Sequence, residues 1–155
     1  MPVVDLIALP PLLPRQAPLI GLDLGEKTIG VAVSDATRSI ASPLETIRRT
    51  KFTADITRMF ELMDSRGAVG IVIGLPINMD GTEGPRCQSS RAFARNVLRV
   101  KDLPIAFWDE RMSSMAINRM LIDEADISRA RRAEVVDKAA AGWILQGALD
   151  RLKNL

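Results

Sequence analysis

The chain has no histidine, no tyrosine, one cysteine, and only 4% aromatic residues. Each shortage removes a class of chemistry. Without histidine there is no imidazole general base, no Ser-His-Asp triad and no imidazole ligand for zinc. A metal on this chain has to be held mainly by carboxylate oxygens, a donor set that suits magnesium or manganese. The lone thiol, Cys87, rules out an internal disulfide and fits a reducing, cytoplasmic setting; it reads as buried and inert. Scarce rings leave few platforms for stacked bases. No apolar run approaches the roughly 20 residues of a membrane helix. The opening MPVVDLIALPPLLPRQAP has no charged leader and is broken by prolines, so no signal peptide and no membrane association are expected.

What is present is ordinary in bulk and unusual in detail. The 155 residues leave room for one domain with a real core, and 47% hydrophobic with 26% charged residues is a globular composition. The net charge is +2, and arginine far outnumbers lysine, a weak sign of phosphate contacts. Residues 1–18 hold five prolines and read as a flexible tail; 19–155 read as a single domain.

The stretch LIGLDLGEKTIGVAVSD, Leu19 to Asp35, joins two short strands through the turn GEKT, an antiparallel hairpin. A third strand is expected in SIASPLETI, with Pro43 marking an edge or a bulge. Helical spacing of Phe52, Ile56, Met59, Phe60 and Met63 predicts a helix over 53–66, stopped by Gly67. GIVIGLP reads as a strand buried on both faces. A loop, INMDGTEG, then leads into a helix from Pro85 to Val100. LPIAFWDER supplies another strand, Ser113 or Ser114 caps a helix through Ile122, and the last helix spans about 130–152. Three strands in meander followed by strand–helix alternation predict an α/β mixed sheet flanked by helices.

Three acids stand where the pattern calls for burial. Asp23 lies inside the first strand, on the face of Leu19 and Gly21. There it either binds a cation or caps the following turn. Asp109 and Glu110 close the PIAFW strand at its C-terminal end, where open α/β sheets place ligands. Adjacent strand residues point to opposite faces, so at most one of the two faces Asp23. Asp137 is mid-helix among small residues in EVVDKAAAGWILQ. Two strand carboxylates and one helix carboxylate, with no histidine, describe a cluster that repels itself unless divalent cations occupy it.

Four blocks carry a resemblance: GLDLGEKTIGVAVSD, IVIGLPINMDGTEG, WDERMSS and VVDKAAAGWILQ. In this order and spacing they resemble the signature blocks of the YqgF (RuvX) family, RNase H-like proteins described first as Holliday junction resolvases and later as nucleases maturing the 5′ end of pre-16S rRNA. The resemblance covers about Leu19 to Leu152. It implies a five-stranded mixed sheet with the first three strands antiparallel. It also implies a metal-dependent endonuclease using Mg2+ or Mn2+ on Asp23, Glu110 and Asp137, with Asp109 as the alternative to Glu110. Met112 and Ser114 vary the usual third block, and Ala140 stands where wider-superfamily resolvases carry a second helix acid.

The expected partner is structured nucleic acid, either pre-16S rRNA or a four-way DNA junction, bound by a monomer or a homodimer. Arg91, Arg95 and Arg99 share one helix face flanked by Arg86, with no acid between Glu83 and Asp102, and so form a candidate phosphate track. Arg129, Arg131 and Arg132 form a second cluster. Lys27, Arg111 and Asn78 are further candidates, with Asn78 equally readable as a turn former. Two other functions stay open. DLGEKTIGVAV resembles the first phosphate loop of actin-like ATPases, which would make the chain a nucleotide-binding module. A non-catalytic rRNA-binding or transcription factor would keep the fold without cleavage.

Overall fold

The computed structural model describes residues 3–112 and 129–154, with side chains for 3–111 and 138–154. Five strands form one sheet in the order β3-β2-β1-β4-β5. β1 (Leu19–Leu24), β2 (Thr28–Ser34) and β3 (Ala41–Arg48) are the antiparallel meander, and β4 (Gly70–Leu75) and β5 (Ile105–Asp109) add in parallel beside β1. This is the mixed sheet expected from the pattern. Pro43 does what its missing N–H demands: β3 is an edge strand, and its register with β2 slips between Val31 and Ala32, which pair with Glu45 and Pro43.

α1 (Phe52–Arg66) and α2 (Pro85–Val100) cover one face of the sheet. α1 ends at Gly67, whose φ of 71° is the left-handed conformation that glycine adopts without strain. Its first turn is tied down by buried Asp55, which accepts the Thr50 N–H at 3.1 Å. α2 begins with Pro85 at its first position, where a missing N–H costs nothing. Met59 and Met63 of α1, and Phe93 and Val97 of α2, interdigitate with Ile20, Leu22 and Ile73. Each such buried side chain contributes about 1.5–3 kcal/mol.

α3 (Arg129–Lys153) covers the opposite face through Ala141, Ile144, Leu145, Ala148 and Leu149. The helix expected after Ser113 or Ser114 lies outside the described residues. No described helix is long and apolar enough to cross a membrane.

The amino-terminal segment differs from the flexible tail expected of it. Val4 bridges Ala106 in parallel and donates its N–H to the Ile105 carbonyl at 2.9 Å, covering the outer edge of β5. Two short 3-10 turns follow, Leu6–Ala8 and Pro10–Leu12, and Leu9 is fully buried in the α3-side core. Prolines break regular structure here, but the leucines between them, Leu6, Leu9 and Leu13, supply the apolar surface that docks the segment. Proline also reduces the freedom the unfolded segment has to lose, and a covered edge strand is protected from further pairing.

Candidate active site

Parity along the strands decides which side chains meet. On β1, Ile20, Leu22 and Leu24 face α1 and α2, while Leu19, Gly21 and Asp23 face α3. On β5, Ile105 and Phe107 take the first face, Ala106 and Trp108 the second. Glu110, the next residue of that second parity, opens a short 3-10 turn, Glu110–Met112, directly beyond the strand. Asp23 and Glu110 thus come together where the parallel strands β1, β4 and β5 all end, and a side-chain hydrogen bond joins them. Two carboxyl groups can make such a bond only if one carries a proton. Burial is the main force that raises the Glu110 pKa, to about 7, with the negative charge of Asp23 next and the Arg86 guanidinium opposing both.

Asp109 is used differently. Arg111 donates to it from Nε at 2.9 Å and from a terminal nitrogen at 2.7 Å, and the Arg111 backbone N–H adds a third bond at 3.0 Å. The hydrogen bonds from Arg111 hold the Asp109 carboxyl below its ordinary range. Arg111 therefore compensates the Asp109 charge through these bonds, and Asp109 acts on Glu110 only as a further negative charge that raises its pKa.

Two glycines make the pairing possible. A Cβ on Gly21 would sit 2.7 Å from the Leu145 Cβ and 3.1 Å from the Ala141 carbonyl, so α3 lies directly on β1 only because position 21 is bare. A Cβ on Gly74 would lie 3.0 Å from both Cγ and Cδ of Glu110, whose side chain crosses β4 over that glycine. Asp137 lies on α3 four residues before Ala141, on the same helix face. One turn, about 6 Å, carries it from the Gly21 contact towards the Asp23 end of β1. Its side chain lies outside the described ones. So do those of Arg129, Arg131 and Arg132 in the first turns of the same helix. No cluster of three metal-ligating side chains occurs among the described residues.

The arginine stripe of α2 is less uniform than its sequence suggests. Arg91 is paired with Glu83 through Nε at 2.7 Å and a second nitrogen at 2.8 Å, and its guanidinium lies 5.1 Å from the Phe107 ring centroid. The preceding loop folds an acid back onto the helix, so Arg91 is not an uncompensated charge. Arg95 and Arg99 remain exposed, but Arg99 lies about 20 Å along the helix from Arg86, away from the acids. Arg86 is at the acid end and donates to the Leu24 carbonyl at 3.2 Å. Asn78 behaves as a turn former, bonded to Thr82 through both backbone and side chain. Lys27 is exposed in the β1–β2 turn.

Beside the acids opens a cleft of about 840 Å³, lined in part by Glu26, Arg49, Thr50, Arg86 and Ser89. Arg49 was not among the residues expected from the sequence. The signal was the basic run IRRTK at the close of β3, ambiguous because its turn position was unknown.

The five-stranded mixed sheet, with a carboxyl pair at the ends of its parallel strands, is an RNase H-like fold. A solved structure with this architecture, Thermus thermophilus RuvC in complex with Holliday junction substrate, aligns with a TM-score of 0.55, covering 88% of this chain and 96% of that one. At 13% identity the likeness is one of fold. The RuvX family model, described as Holliday junction resolvase, matches residues 17–151, and the chain belongs to this family. A protein of Phenylobacterium zucineum named "Putative pre-16S rRNA nuclease" is 74% identical over 156 residues, spanning 100% of both chains. A Caulobacter vibrioides protein of the same name is 67% identical, again over 100% of both.

Proposed function

We propose that this RuvX-family nuclease is a divalent-metal-dependent endonuclease that matures the 5′ end of pre-16S rRNA in the cytoplasm. Asp23, Glu110 and Asp137 are its proposed ion-holding residues. The observation that carries the proposal is the hydrogen-bonded Asp23–Glu110 pair at the open end of the sheet. Two carboxyls that must share a proton when alone form a site where a dication can take the proton's place. The donors are all oxygens, which suits Mg2+ or Mn2+. When bound, such an ion supplies an activated water and charge stabilisation for phosphodiester hydrolysis.

The chain's own part is to hold and orient. Gly74 lets Glu110 reach Asp23, Gly21 lets α3 approach β1, and Arg111 removes Asp109 from competition. Arg86 places positive charge next to Glu110, where a phosphate backbone would enter. The names of the close relatives favour precursor rRNA as substrate. The family description favours a four-way DNA junction as a second substrate, and a two-fold junction would be met most simply by a homodimer.

The test is a side-by-side cleavage assay on precursor rRNA and a four-way junction with Mg2+ or Mn2+. Asp23→Asn and Glu110→Gln are expected to lose more than the roughly 10–100-fold that outer-shell changes cost at metal sites. Folding is followed by circular dichroism. Unchanged cleavage by a folded Asp23→Asn protein defeats the proposal. Saturable micromolar binding of Mg-ATP by calorimetry, with no cleavage of either nucleic acid, would instead favour the nucleotide-binding reading.

A further inference from the structure

We propose that the cleft between the β1–β2 turn, the β3–α1 junction and the first turns of α2 is a phosphate subsite. It receives a backbone phosphate next to the one engaged at the acid pair. The nature of the strand rests on the function proposed above; the need for a phosphoryl group comes from the cleft itself.

Two guanidinium groups converge there. Arg49 donates one terminal N–H to the Gly25 carbonyl at 2.8 Å, its backbone N–H bonds the Lys27 carbonyl at 2.8 Å, and its charge lies 5.9 Å from the Phe93 ring centroid. Arg86 donates one terminal N–H to the Leu24 carbonyl. Each fork is thereby fixed through one of its five N–H donors. Their remaining donors have no protein acceptor among the described residues. A fixed fork loses little freedom when it binds an oxyanion, and its planar geometry matches phosphate oxygens two at a time. The Ser90 hydroxyl donates to the Arg86 carbonyl at 3.0 Å, while Thr50 and Ser89, the latter exposed on the preceding position of α2, bring the other two hydroxyls of the lining. Glu26 is the acid of the lining and opposes anion binding from the rim.

The position relative to the acids is set by the chain. Leu24 and Gly25, the carbonyls that fix the two arginines, are the residues immediately after Asp23, and each extended residue spans about 3.3 Å. Arg86 touches both regions, since it lines the cleft and its charge acts on Glu110. A strand with one phosphate at Asp23 and Glu110 has its neighbour within reach of Arg49 and Arg86.

The test uses the full chain in EDTA, so that binding is read without cleavage, and follows the fluorescence anisotropy of a labelled precursor-rRNA fragment at several salt concentrations. Arg49→Gln is expected to weaken binding about tenfold. It should also lower the slope of log K against log salt by about 0.7–0.9, the loss of one phosphate contact. Arg49→Lys should recover the slope and only part of the affinity, which a purely structural Arg49 would not do. Ser89→Asp adds a charge without touching any Arg49 contact and should weaken binding comparably; Glu26→Gln should tighten it. Thermal melts of each variant separate misfolding from lost contact. Competition with inorganic phosphate and AMP separates the strand from a free phosphoryl ligand. Micromolar AMP binding that leaves RNA affinity unaltered overturns the subsite. Unchanged affinity and slope in Arg49→Gln and Ser89→Asp overturn it as well while leaving the nuclease intact. An unsubstituted chain that binds no RNA overturns both.

Discussion

The two faces of the sheet are packed on opposite principles. Towards α1 and α2 the sheet presents Ile20, Leu22, Ile71 and Ile73, and the helices answer with Met59, Leu62, Met63 and Phe93. Towards α3 it presents Gly21, Ala32, Val72, Gly74 and Ala106, and the helix answers with Ala141 and Ala148 among larger residues. The first face is filled; the second is thinned. Filling maximises buried apolar surface, whereas thinning lets a helix backbone come close to strand backbones. The face that carries the acids is the thinned one. Its closeness is what positions Glu110 against Asp23 and sets the Asp137 turn of α3 near the end of β1, so here packing and chemistry are the same feature.

The comparison breaks hardest at Gly21. An added methyl meets Leu145 at 2.7 Å and the Ala141 carbonyl at 3.1 Å, atoms of a helix that cannot swing aside. Gly21→Ala is expected to cost about 3 kcal/mol in urea denaturation and to depress cleavage with it. A variant of native stability would mean that α3 does not rest on β1 as described.

The proton shared at the thinned face gives the next effect. The Glu110 pKa is raised from its ordinary 4.5 to about 7, so the folded chain keeps a proton that the unfolded chain has already released. Stability tied to this group is therefore complete below pH 4.5 and lost as pH rises to about 7. The loss is on the order of 3 kcal/mol. In metal-free protein the melting temperature should fall across that interval, and Glu110→Gln should remove this component of the fall. A wild-type and variant pair with parallel profiles would contradict the shared proton.

Gly74→Ala sharpens the contrast between stability and chemistry. Its methyl meets the end of the Ile144 side chain at 2.5 Å and Glu110 at 3.0 Å. Ile144 can rotate, so stability should drop only about 1–2 kcal/mol. Glu110 cannot move without leaving Asp23, and misplacing a reactive group by about 1 Å costs on the order of 100-fold. Cleavage measured on the folded fraction should fall well beyond what the stability loss explains; equal losses would place Gly74 in the packing alone.

Much of this was legible in the sequence, and the parts that were not share a cause. Strand parity put Asp23 with Leu19 and Gly21, Pro85 marked the start of α2, and Pro43 marked the β3 edge. Local patterns of period two or 3.6 carry such information. What escaped was pairing between residues that no period links. The β4–α2 loop brings Glu83 back onto Arg91 across eight positions, and Arg111 captures Asp109 through a turn that begins where the strand ends. The amino-terminal leucines find their core only once β5 exists as an edge to dock on. At the site, parity narrowed Asp109 and Glu110 to one inward residue without naming it, because the strand's last residue fixes the phase and the sequence places strand ends only to within a residue or two.

The filled face supplies the smallest effect and the control for all the others. Ile56 is buried against the sheet from α1 and lies in the core opposite to the one containing the acid-bearing face. Ile56→Val removes one methylene and should cost about 1 kcal/mol. It leaves a void that neighbouring Met59 and Met63 can partly occupy, since thioether chains adapt to irregular space. These side chains belong to the core on the other side of the sheet from Ala141, Ile144 and Leu145 of α3, so cleavage per folded molecule should be unchanged, as should the pH profile of the metal-free melt. If a one-methylene change on this face altered either, the sheet would be transmitting strain from one core to the other, and the separation between a face that fills and a face that reacts would fail.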